Sequence, residues 1–215
     1  MPKRTFFRLD EDKRERVIRS AIGEFRVNGF ENAKVGAIAK NAGIANGSVY
    51  QYFEDKRELF MYCVNWTMEN FVREMDRRVP LAGLDVFEYF QNGLPGRISF
   101  WKEEPDLALF ARDLSTGGLD FPPGEANVLR GAQDAHIPKL VANGLKWGTL
   151  RGDIDGGTLV LYLTGVIREA ENFLFKKAAD AGFDASDDAM KAYAECLKPI
   201  IELVSHGIGG AEKSQ

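Results

Sequence analysis

Residues 33–53 of the 215-residue chain read AKVGAIAKNAGIANGSVYQYF. Ile38, Ala42, Ile44, Val49, Tyr52 and Phe53 recur at the spacing that gathers apolar side chains between two short helices, one over 34–41 and one over 46–53. Ala39 is small enough for those helices to approach closely at their crossing. Gly43 stands where a tight turn wants a residue tolerant of positive φ. Two short helices so joined form a helix-turn-helix, whose second helix enters the major groove of DNA.

On that second helix Ala45, Asn46, Gly47, Ser48, Tyr50 and Gln51 are left facing outward. Asn and Gln side chains hydrogen-bond adenine edges, small residues let the backbone come close, and hydroxyls bond phosphate. A second reading stays open here, in which Asn46 caps the helix and Gly47 belongs to the turn. Upstream, a helix starts near Asp10 with acids in its first turn, buries Val17, Ile18, Ala21, Ile22 and Phe25, and stops at Gly29. Lys13, Arg14, Arg16, Arg19 and Arg26 lie on its other face.

Working outward, residues 13–60 resemble the N-terminal domain of the tetracycline-repressor (TetR) family of bacterial transcription regulators. The resemblance rests on Ala21, Phe25, Gly29-Phe30, Val35, Ile38-Ala39, Ala42-Gly43-Ile44, Gly47-Ser48-Val49-Tyr50 and the closing Tyr50-x-Tyr52-Phe53-x-x-Lys56. Thr5-Phe6-Phe7-x-Leu9 and residues 51–56 look like a subset of that family. The resemblance implies an all-α protein with an N-terminal three-helix helix-turn-helix domain over 1–55, its motif at 33–53. A helical effector-binding and dimerisation domain would follow over 56–215. Lys34 would then start the second helix near phosphate, Ala45, Asn46, Gly47, Ser48 and Gln51 would face bases, and Tyr50, Tyr52 and Lys56 would grip the DNA backbone. The ring of Tyr52 has a competing place in the core. Lys3, Arg4 and Arg8 form a basic arm, open to two readings: contacts to DNA or a solvated end.

The rest of the chain carries the same helical spacing, with no stretch alternating in the manner of a strand, giving about nine or ten helices. From Lys56 the apolar pattern runs unbroken to Pro80, one long helix leaving the head. Punctuation then cuts helices at 84–93, 95–103, 105–114, 124–147, 155–181 and 186–205, with Pro138 and Pro199 expected to kink or break two of them. Residues 209–215 read as a frayed tail.

Two of these helices have broad apolar faces, including Leu163, Val166, Ile167, Ala170 and Phe173 on one and Tyr193, Cys196, Leu197, Ile200 and Val204 on the other. Either an intrachain core or a second copy completing a four-helix bundle would bury them. The family resemblance implies the homodimer, with reading heads about 34 to 36 Å apart on a palindromic operator. Large rings crowd the middle of the chain, and most aromatics at helical spacing are core. The family places an effector cavity among these helices, so a small apolar or aromatic molecule is the expected ligand, with Phe90, Arg97, Trp101, Phe110, Arg112, His136 and Trp147 as candidate contacts.

Composition narrows the alternatives. Apolar residues are 45% and charged residues 28%, the balance of a globular chain rather than a disordered or fibrous one. Residues 1–60 hold 12 Lys and Arg against 9 Asp and Glu, while the whole chain is net −4, a basic head on an acidic body. Cys63 and Cys196 make neither a disulfide framework nor a metal motif, and no zinc, phosphate-loop or nucleophile-elbow pattern is present. No catalytic residue, cofactor or metal is therefore expected, and no apolar run approaches the roughly 20 residues of a membrane span. A cytoplasmic DNA-binding regulator is the expectation; the competing class is an all-helical module binding protein or RNA.

Overall fold

The computed structural model describes residues 1–78, 83–116, 118, 119, 122, 137–184 and 186–206. Among them the chain is helical and forms no strand. Eleven helices are formed among the described residues: α1 (Arg4–Phe7), α2 (Glu11–Asn32), α3 (Val35–Asn41), α4 (Asn46–Tyr52), α5 (Lys56–Arg78), α6 (Val86–Asn92), α7 (Leu94–Glu103), α8 (Pro105–Thr116), α9 (Ile137–Trp147), α10 (Gly156–Asp180) and α11 (Asp187–His206). Most of the expected boundaries hold to within a residue or two. The chain divides into two compact units, Met1–Val72 with Glu104–Gln133, and Arg73–Glu103 with Asp134–Gln215.

In the first unit, Asp10 caps α2 by accepting from the Lys13 amide at 2.8 Å. Val17, Ile18, Ala21, Ile22 and Phe25 of α2 are all buried. Gly29 breaks the helix at φ +68, but a further turn carries it to Asn32 instead of ending it there. That extra turn seats Phe30 stacked near Phe25 and edge-on to Phe60 of α5, at ring-centroid distances of 6.4 and 5.3 Å. Phe25 meets Phe60 at 4.9 Å, and such edge-to-face pairs add about 0.5–1.5 kcal/mol beyond their burial. α8 closes this core through Phe110, while Arg19 and Arg26 of α2 pair with Glu104 and Asp106 at its start. Cys63 lies in the same core; burial pushes its thiol pKa far up, which keeps it protonated and inert.

In the second unit, Asp85 and Glu88 form a reciprocal capping box on α6, and Asp155 caps α10. Ile98, Phe100, Leu140, Leu163, Ile167, Leu174 and Ala178 fill its core. Trp101 of α7 meets Phe175 of α10 edge-on at 4.8 Å. The last turn of α5 belongs here: Arg78 donates to Ser99 at 2.9 Å and pairs with Glu103 at 2.7 Å, both on α7.

One expectation about proline needs correction. Pro138 is the second residue of α9, in the first turn, where its missing N–H has no helical partner to lose, so it starts a helix and kinks nothing in 137–147. Residues 124–136 of the expected helix, the chain beyond 206 and Pro80 lie outside the described residues. Pro199 does not end α11, which runs through it to His206.

Candidate nucleic-acid interface

The turn between α3 and α4 is built as the sequence requires. Gly43 adopts φ +69, and the amides of Gly43 and Ile44 bond back to the carbonyls of Lys40 and Ala39 at 3.1 and 3.0 Å. Glu24 of α2 accepts from the Lys34 amide at 2.9 Å, and the Ser20 hydroxyl donates to the Ile38 carbonyl at 2.8 Å. α3 is thus locked onto α2 by polar contacts at its start and middle, with Ile38 and Ala39 buried beneath it.

α4 has two distinct sides. Val49 and Tyr52 are buried and Phe53 follows them into the core, while Ala45, Asn46, Gly47, Tyr50 and Gln51 are exposed and Ser48 is half-buried. Tyr50 is 52% exposed, so its hydroxyl is free to reach a partner outside the chain. Ala45, not Asn46, is the N-cap residue, and it makes no side-chain cap; the capping role weighed for Asn46 is therefore not taken up. Lys34 is exposed at the start of α3, on the same head.

Two of the expected backbone contacts have intramolecular partners. The Tyr52 ring is 7% exposed and lies 6.0 Å from Phe6, in its core position. The Lys56 ammonium donates to the carbonyls of Glu31 at 2.8 Å and Ala33 at 3.4 Å and sits 4.9 Å from the Phe30 ring. It closes the end of α2 in addition to any contact it makes outward.

The expected effector contacts fall in different places. Phe90, Arg97, Trp101 and Trp147 belong to the second unit, Phe110 and Arg112 to the first, and His136 lies outside the described residues. Arg112 pairs with its neighbour Asp113 at 2.6 Å, and Trp147 is 44% exposed. Arg97 stands apart from the rest. Its guanidinium is 3% exposed, lies 4.5 Å from the Tyr89 ring centre and donates through Nη2 to the Tyr89 carbonyl at 2.9 Å. Nη1 stops 3.7 Å from Glu171, whose Oε1 already accepts the Tyr89 hydroxyl at 2.9 Å, and Nη1 and Nε have no hydrogen-bond partner among the described residues. Burial, with the Glu171 charge beside it, pushes the Tyr89 hydroxyl pKa far up, so it stays a donor.

The expected dimer residues also divide. Leu163, Ile167, Ala170, Tyr193 and Leu197 are buried within one chain, whereas Val166, Cys196, Ile200 and Val204 are half-buried and Phe173 is 44% exposed. Sequence reasoning missed Leu161, Tyr162 and Leu203, which stand 77%, 38% and 56% exposed on α10 and α11. It also missed the packing of residues 3–6 against α4.

A two-helix motif with a tight positive-φ turn and a polar, exposed second helix on a basic head defines a DNA-binding regulator of the helix-turn-helix class. Residues 17–63 match the family described as bacterial regulatory proteins, tetR family. A TetR family regulator from Chloroflexus aurantiacus shares its fold at a TM-score of 0.70 and 29% identity, over 96% of this chain and 98% of that one. The HTH-type transcriptional regulator YdgC of Bacillus subtilis is 27% identical over 174 residues, 79% of this chain and 85% of its own. FadR of Bacillus subtilis, solved in complex with stearoyl-CoA, superposes at a TM-score of 0.66 and 19% identity, over 91% of this chain and 99% of that one.

Proposed function

We propose that this regulator is a homodimeric repressor, released from a palindromic operator when a small apolar molecule with an anionic head enters the second unit. Residues 1–55 read the DNA, through Lys34, Ala45, Asn46, Gly47, Ser48, Tyr50 and Gln51, with Tyr52 and Lys56 holding the head in shape behind them. The remainder binds effector and partner.

The observation that carries the ligand class is Arg97. Its guanidinium is buried with one hydrogen bond and one longer ion pair to Glu171 at 3.7 Å, leaving Nη1 and Nε without a hydrogen-bond partner among the described residues, an arrangement that favours a further acceptor. A carboxylate or phosphate supplies the missing acceptors in the geometry a guanidinium favours. Tyr89 and Phe90 of α6 and Trp101 of α7 are the buried apolar side chains on the two helices that hold Arg97. The stearoyl-CoA held by FadR of Bacillus subtilis is a ligand of this chemistry.

Arg97 lies on α7, and α7 also holds Arg78 at the end of α5 through Ser99 and Glu103. A ligand that draws Arg97 away from Tyr89 and Glu171 moves α7 and the end of α5 with it. Leu59, Phe60, Cys63 and Val64 of that same helix are buried in the core of the head. Differential affinity of the ligand for the shifted state is what lowers operator affinity.

The test titrates the operator complex with stearoyl-CoA and follows release by fluorescence anisotropy, for wild type and Arg97→Gln. Release of the wild type, with Arg97→Gln still bound at the same ligand concentration, supports the reading. Unchanged operator affinity at a stearoyl-CoA concentration that saturates binding to the protein contradicts it.

A further inference from the structure

We propose that residues 3–6 are a clasp that fixes the last turn of the reading helix, so that Lys3, Thr5 and Phe6 set DNA recognition without touching DNA. α4 is seven residues long, and such a helix has little stability of its own. Its last carbonyls have no partner within the helix, and the chain leaves through Phe53 in an extended conformation, with no glycine to turn back and satisfy them.

The N-terminal segment supplies the partners. The Lys3 ammonium donates to the Tyr50 carbonyl at 2.8 Å, the Thr5 hydroxyl donates to the Gln51 carbonyl, and the Lys3 amide donates to the Tyr52 carbonyl at 2.8 Å. Three consecutive carbonyls are thus closed by two residues from 46 to 49 positions away in sequence. The lysine charge also stands at the negative end of the helix. Phe6, fully buried, anchors the segment with its ring centre 4.8 Å from Phe53, 6.0 Å from Tyr52 and 5.4 Å from Tyr62. Pro2 is half-buried and α1 begins directly after Lys3, so these residues are held in place. Two of the three carbonyls belong to Tyr50 and Gln51, whose side chains face outward from α4. Holding those peptide units fixes the direction in which the side chains leave the helix, and errors of about 1 Å at a site are enough to lose function.

The inference rests on α4 being the DNA-reading helix, and two measurements keep the two claims apart. The first uses no DNA: hydrogen exchange followed by mass spectrometry over residues 46–53. Thr5→Val, which keeps the shape and removes the donor, is expected to speed exchange there relative to wild type, with Thr5→Ser restoring protection. Equal exchange in wild type and Thr5→Val overturns the clasp, whatever α4 binds.

The second measures binding to a selected duplex and to an unrelated duplex across a salt series. Thr5→Val and Lys3→Met are expected to weaken the selected complex about 3- to 10-fold, the loss of one hydrogen bond each. Binding to the unrelated duplex and the salt slope are expected to stay as in wild type. A Lys3→Met slope shallower by about one, with both duplexes weakened together, is the signature of a phosphate contact and overturns the clasp. Failure of wild type to prefer any duplex, with the exchange result as expected, rejects the reading of α4 and leaves the clasp standing as a purely structural device. These polar variants are chosen because Phe6→Ala removes a fully buried ring on which the fold of the head depends.

Discussion

Arg78 holds three side chains from one position, Glu74 on its own helix and Ser99 and Glu103 on α7, and its effect on Glu103 makes this tie pH-sensitive. The Arg78 hydrogen bond, then that of Ser99, takes the Glu103 carboxyl down to about 2, well below its ordinary value. A carboxyl held low in the folded chain contributes stability above its unfolded value and loses it as pH falls through the folded one. The Arg78 to Glu103 tie is therefore expected to be whole at pH 7 and to weaken from about pH 5 down to about 2. Glu103→Gln should flatten the acid arm of a thermal-midpoint profile over that window and leave the neutral-to-alkaline arm parallel to wild type. An unchanged acid arm would show that the pair contributes nothing as a charge pair. Lys56 shows the limit of reading residues singly: the motif marks its position, but its partners Glu31 and Ala33 are carbonyls, and carbonyls have no signature in sequence.

At the scale of elements, what was legible followed periodicity. α2 through α5 and the inward side of α4 were readable because apolar residues at helical spacing must share a face, and Gly43 because only a turn explains it there. α1 was not readable: a four-residue helix is too short to show a period, and Thr5-Phe6-Phe7 reveals its purpose only through carbonyls some 46 positions away. The faces of α10 and α11 were readable as apolar, but not as two separate faces. Leu163 and Ile167 are buried in their own chain, while Leu161, Tyr162, Phe173 and Leu203 are exposed. A single apolar stripe broad enough for both tasks leaves the division to tertiary packing. The consequence is testable, since the two sets should respond differently. Leu161→Glu with Leu203→Glu is expected to shift sedimentation from dimer to monomer with little change in thermal midpoint measured on the monomer. Leu163→Ala is expected to cost about 2–5 kcal/mol of stability in urea unfolding. A double glutamate variant that remains dimeric would place the interface elsewhere.

At the scale of the molecule, charge is uneven along the chain, a basic N-terminal quarter followed by an acidic remainder, as the proposed division between DNA reading and effector binding requires. The family could be read from residues 13–60, because DNA recognition by a short helix demands a particular run of small, polar and apolar residues. The effector could not, since many apolar linings serve many ligands; Arg97, a buried cation whose Nη1 and Nε have no hydrogen-bond partner among the described residues, is what narrows the proposed chemistry. A dimer carrying two copies of α4 should contact two half-sites related by a two-fold axis, spaced by about 34 to 36 Å or a multiple of it. Phosphate contacts would set a steep salt dependence, and base contacts from Asn46, Ser48 and Gln51 the sequence.

The most direct measurement is selection of bound sequences by the purified full chain from a random duplex library at near-physiological salt. Enrichment of one two-fold-symmetric motif, lost when Tyr50 and Gln51 are both changed to Ala, is the expected result. Enrichment of nothing by protein shown by mass spectrometry to carry no bound ligand, or of a motif that the double variant recovers equally well, would contradict the assignment of α4 as the reading helix.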